Sequence, residues 1–197
     1  MTSHDYLALR LEELLDRISD DGLAPGGGSA SALTVAFAAR LVAMVARCSP
    51  DWQEAGGIVA QANAIGERAV HLAGADGRAW ETALAALRDA EAADGDDPRR
   101  SFALEQKLEA AASVPLEIAA LGADVATLAA ETGDNCEATY RADAAAAAAL
   151  AAGGAAAAAH LVRVNLGVRG SDPRLANALA SEQTARESAE RLLETTR

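Results

Sequence analysis

Residues 136–168 read CEATYRADAAAAAALAAGGAAAAAHLVRVNLGV. Thirteen of the sixteen residues from 144 to 159 are Ala, the residue that gives up least on entering a helix and has little to pack on a pleated sheet. The wider composition agrees. Across 197 residues there are 53 alanines against two each of Phe, Tyr and Trp, so there are too few sheet-forming side chains for a β core. The predicted class is all-α.

Working outward from this run, Gly153-Gly154 is expected to divide the alanine helix, and Gly133-Asp134-Asn135 to form the loop before it. Upstream, a helix reaching about Glu131 contains Pro115. A proline inside a helix removes one hydrogen bond, so a kink or break is expected near Ser113. Asp94-Gly95-Asp96-Asp97-Pro98 reads as a polar loop, with Asp97 able to cap and Pro98 able to take the first helical position. A long helix from the restart at Pro50-Asp51 to about Ala93 precedes that loop. Pro25-Gly26-Gly27-Gly28-Ser29 reads as a loop, since each helical glycine costs about 1 kcal/mol relative to Ala; Ser29 or Ser31 then caps a helix to about Arg47. Leu7, Leu11, Leu14, Leu15 and Ile18 mark an amphipathic first helix ending near Gly22, and Asp172-Pro173 opens a last polar helix. The expectation is one domain over 1–197, a bundle of six or seven mostly antiparallel helices, some long and kinked. Alanine helices gain stability by approaching closely, which suggests a subunit interface and a homodimer.

The formal charge of −12 argues against nucleic acid or an anionic membrane surface as partner and favours a neutral or cationic small molecule. Cys48 and Cys136 form no disulfide framework. Met1 to Arg17 carries acids among its leucines, unlike a secretory signal, and Ala144–Ala159 is too weakly apolar and too glycine-broken for a membrane span. A cytoplasmic location is expected.

Pro25, Gly26, Gly27, Gly28 and Ser29 lie before a helix, where backbone N–H groups and the helix N-terminus could receive an anionic group. This is neither a P-loop, as no Gly-Lys-Ser/Thr follows and Lys107 is the sole lysine, nor a dinucleotide fingerprint, as no strand precedes it. The histidines His4, His71 and His160 form no ligand pattern, so no metal is expected. Asp76 and Asp143 sit in weakly charged helical stretches. A carboxylate facing a bundle interior is costly without a partner or ligand, so both are candidates for acid/base work, with Arg78 and Arg141 as neighbouring cations. Asp143 could equally cap the alanine helix.

Taken in order, several segments resemble the cyclodeaminase/cyclohydrolase family of folate one-carbon enzymes. These are Pro25–Ser29 followed by a small-residue helix with Met44-Val45-Ala46, and Asp76-Gly77-Arg78-Ala79-Trp80; then Arg99-Arg100 with Ala103-Leu104-Glu105, Ser113-Val114-Pro115-Leu116 with Ile118-Ala119, and finally Asp143 with Val164-Asn165-Leu166. Gly74, Ala142 and Leu161 depart from the family pattern. The resemblance implies an enzyme that either hydrolyses 5,10-methenyltetrahydrofolate to the 10-formyl form or converts the 5-formimino form to methenyltetrahydrofolate and ammonia. It implies a dimer with its pocket at or near the interface, and no cofactor beyond the folate substrate. Asp76 and Asp143 would be catalytic; Pro25 to Ser29, Arg78, Arg141 and Asn165 would bind substrate. The other reading is a non-catalytic dimeric helical binding or scaffolding relative.

Overall fold

The computed structural model describes residues 4–21, 24–91, 98–166 and 172–195. Among these there is no strand. The α-helices are α1 (Leu11–Ser19), α2 (Gly27–Arg47), α3 (Ala55–Glu91), α4 (Pro98–Asn135), α5 (Arg141–Leu166) and α6 (Pro173–Thr195), with short 3-10 turns at Tyr6–Ala8 and Ala138–Tyr140. The expected loop ends at Gly22, residues 94–97 and Val168 lie outside the described residues.

Four long helices form the frame. α2 packs on α3 and α5, α4 packs on α3 and α5, and α6 closes over α4 and α5. The core is built largely from small side chains, and its largest fully buried apolar members are Ile118, Leu192, Val35, Val42, Val45, Val125 and Val162. Three helices, Gly27–Arg47, Phe102–Asn135 and Ala138–Leu166, are long and apolar enough to cross a membrane, and half to two-thirds of each is buried within the bundle. Only the third overlaps the alanine run considered from sequence.

Gly153-Gly154 does not divide α5. A Cβ on Gly154 would lie 2.8 Å from Val35 Cγ2 and 3.2 Å from the Ser31 carbonyl oxygen, so this glycine lets α2 and α5 approach. Gly153 faces open space. Gly122 plays the same part between α4 and α5, where a Cβ would meet that of Ala155 at 2.8 Å. α1 differs from an ordinary amphipathic surface helix. Leu14 is its only buried residue, and Leu7, Leu11, Leu15 and Ile18 form an exposed apolar stripe.

Nor does Pro115 break α4, which runs unbroken through it. An α-helix bonds each N–H to the carbonyl four residues back, so a proline at 115 leaves the carbonyl of Ala111 without its donor. The Asn165 side chain fills that place, donating Nδ2–H to Ala111 O at 3.1 Å. A neighbouring helix supplies the missing hydrogen bond, and of the expected kink or break the break does not occur.

Candidate active site

The triple glycine is only partly a loop. Gly26 is the N-cap of α2 and makes no side-chain capping bond, while Gly27 and Gly28 are already helical. Ser29 and Ser31 therefore sit inside the helix rather than capping it; the Ser31 hydroxyl donates back to Gly27 O at 2.7 Å. One orphan N–H group of the first turn, that of Ser29, finds its acceptor in another helix. The Asp76 carboxylate of α3 accepts the backbone N–H of Ser29 and the Ser29 hydroxyl, the latter at 3.3 Å. A Cβ on Gly28 would land on that carboxylate, so glycine at 28 is what allows the approach. The helix N-terminus that sequence reserved for an anionic ligand is taken by the protein's own Asp76.

Burial pushes the Asp76 carboxyl up from its ordinary value, opposed by the two hydrogen bonds from Ser29. Behind it lies Tyr6, whose phenol is buried and makes no hydrogen bond of good geometry. Burial pushes that phenol up, the Ser29 hydroxyl beside it acts the other way, and the Asp76 and Glu81 carboxylates add to the rise. Tyr6 packs on α3 where Gly77 leaves room for its hydroxyl. The Ser29 hydroxyl has one proton and two acceptors, Ala73 O at 2.9 Å and the Asp76 carboxylate. It can turn to Asp76 when that group is charged and to the carbonyl when it is neutral.

In front of Asp76 is a hollow of about 240 Å³ floored by Asp76 and Gly26 to Gly28. Its walls are Trp80 from α3, Ala111 from α4, and Leu161, Val164 and Asn165 from α5. Among the described residues Asp76 is the one titratable group on this lining, set against an aromatic ring, an amide and apolar surface. Such a lining suits a ring ligand that carries positive charge or N–H donors.

The structure brings together Asp76, Gly26, Gly27, Gly28 and Asn165. Pro25 is buried next to them, and Ser29, fully buried, holds Asp76 from behind without lining the hollow. Three expected site residues lie elsewhere in the chain. Arg78 is exposed and lines a different surface hollow with His4, Tyr6 and His71, because two residues along a helix turn the side chain to another face. Asp143 stands in the first turn of α5 and Asn165 near its last residue, 22 positions on, which separates them by about 33 Å along the axis. Arg141 belongs to the same far end, 3.8 Å from Asp134. Asp143 favours the α5 dipole where it stands and does not share the Asp76 hollow within one chain.

A family profile described as formiminotransferase-cyclodeaminase matches residues 10–185. The chain belongs to this family. Among solved structures, formiminotetrahydrofolate cyclodeaminase from Thermotoga maritima shares the fold with a TM-score of 0.79 at 21% identity, covering 95% of this chain and 96% of that one. No curated protein sequence matches. The family's description points to cyclodeaminase-type chemistry, and the structural neighbour shows the shared fold. Four lining residues stand outside the expected site: Trp80 belongs to the acidic motif, Val164 to the Val164-Asn165-Leu166 segment, Leu161 is a departure from the family pattern, and Ala111 carries no sequence signal. Nothing in the sequence signals Tyr6 behind Asp76, since seventy residues separate them.

Proposed function

We propose that the chain is a folate one-carbon enzyme acting at the bridging carbon of 5,10-methenyltetrahydrofolate. Hydrolysis to 10-formyltetrahydrofolate is its first reaction, and release of ammonia from 5-formiminotetrahydrofolate its second. The observation that carries this reading is the buried Asp76 carboxyl forming the floor of a small hollow beside Trp80 and Asn165. In the hydrolytic direction the substrate arrives as a delocalised cation and water is the co-reactant. Asp76 offsets the positive charge, takes a proton as water adds to the bridging carbon, and can return a proton to the ring nitrogen as the carbon–nitrogen bond opens. In the deaminating direction the same group would take the proton from the attacking nitrogen and supply it to the departing ammonia. The upward shift of Asp76 brings its proton affinity nearer to working pH, which suits a group that must both accept and give. A hollow of this size accepts the ring portion and leaves the anionic tail outside, in keeping with the acidic chain. The reading requires no metal and no cofactor besides the folate itself.

We also assign the chain to a homodimer. Thr34, Phe37, Leu41 and Met44 lie on one incompletely buried face of α2, and Leu150, Ala157, Leu161 and Val164 on the matching face of α5. Phe37 is 58% exposed and Val164 57%. The face borders the hollow through Leu161 and Val164, so a second copy seated there would sit at the pocket rim.

The deciding experiment mixes purified protein with 5,10-methenyltetrahydrofolate and follows loss of its near-ultraviolet absorption above the buffer rate, with ammonia release from the formimino substrate measured alongside. Acceleration of either supports the enzyme. No acceleration of both, with no folate binding by calorimetry, replaces it with the non-catalytic relative.

A further inference from the structure

Pro115 is not among the residues that line the hollow, yet its effect reaches the pocket. It lies in the middle of α4, fully buried, and its missing N–H leaves Ala111 O free. Both Ala111 and the residue that satisfies its carbonyl, Asn165, line the hollow. An amide side chain can usually turn either edge toward a partner, but a carbonyl accepts only from the nitrogen edge. Nδ2 of Asn165 must therefore face α4. Its Oδ1 has no protein donor among the described residues.

We propose that Pro115 is a positioning residue for the pocket: by freeing the Ala111 carbonyl it commits the Nδ2 edge of Asn165 to the protein and leaves Oδ1 as an oriented acceptor for an N–H of the ligand. The ligand class that follows is a heterocycle carrying amino or ring N–H groups, held between two acceptor oxygens, those of Asn165 and Asp76. An anionic head group would find no matching donor in that pair. The inference uses the folate reading only for the identity of the ligand; the orientation of Asn165 stands apart from it.

Pro115→Ala is the decisive variant, because it returns an N–H to Ala111 O from within α4 and releases Asn165. The side-chain amide resonances of Asn165, identified by their loss in Asn165→Ala, are expected to shift and to exchange faster in Pro115→Ala. KM for methenyltetrahydrofolate should rise about tenfold with kcat within about twofold. The helical circular dichroism should hold and the melting temperature should stay or rise, since a helix-interior proline is removed. A merely structural proline would give no KM change. Pro115→Ala and Asn165→Ala together should be no worse than Asn165→Ala alone, because both act through one hydrogen bond. Unchanged Asn165 resonances, an unchanged KM, or additive losses in the double variant would each overturn the proposal. Should the wild type process neither folate substrate while the Asn165 resonances still respond to Pro115→Ala, the folate reading falls and the positioning role stands.

Discussion

At the scale of single residues, Asp76 is held by two opposed effects. Burial favours its neutral form, and the N-terminus of α2 with the Ser29 hydroxyl favours the charged one, with burial the larger. Because its folded pKa lies above the unfolded value, the associated stability is fully present at pH below the unfolded value and is lost as pH rises through the folded one. Asp76→Asn should therefore melt at the same temperature as the wild type or higher at pH 7.5. That advantage should shrink as pH falls into the carboxylate range, while turnover drops at least a hundredfold. A variant that melts lower at pH 7.5 and regains stability in acid would reverse the sign and refute the burial argument. Gly28→Ala tests the approach itself. Its Cβ would displace the carboxylate, so a loss of about 1–3 kcal/mol in urea unfolding, together with lost activity, is expected. The aspartates look alike in the sequence, each in a weakly charged helical stretch beside an arginine. Asp76 gained a helix N-terminus from elsewhere in the chain and Asp143 only the one it already sat on.

At the scale of elements, the two adjacent glycines of α5 have opposite settings. Gly154 faces α2 at a separation no side chain tolerates, and Gly153 faces open space. Gly154→Ala should destabilise by about 1–3 kcal/mol through overpacking, whereas Gly153→Ala should be neutral or stabilise by up to about 1 kcal/mol through better helix propensity. Thermal unfolding of both separates a contact role from a flexible-joint role, for which the two would behave alike. Helix ends set by proline were legible: Pro173 opens α6 as the Asp172-Pro173 pair suggested. The interior signals were not. The gap left by Pro115 is closed by Asn165, fifty positions on, and the room left by Gly154 is filled by Val35, more than a hundred positions back. Local rules count what a residue removes and cannot count what a distant partner restores.

At the scale of the whole molecule, the antiparallel long helices leave a face of α2 and α5 incompletely covered, and α1 turns Leu11, Leu15 and Ile18 outward. Light scattering is expected to give twice the 20.0 kDa chain mass, and Phe37→Glu to give the chain mass itself with helicity unchanged. A wild-type particle of single-chain mass would remove the homodimer.

The all-α class was determined by the sequence alone, because alanine's preference for helix acts residue by residue and needs no partner. So was the association of the glycine segment with an acidic helix motif, through the ordered resemblance to a folate family. Tertiary structure alone decided that Asp76 and not Asp143 faces the hollow, that the α2 N-terminus is spent on the chain's own carboxylate, and that Asn165 is oriented by a carbonyl freed in another helix. Each of these depends on distances between helices. Such distances are set by which small residues meet across the bundle, and no periodicity within one helix encodes them.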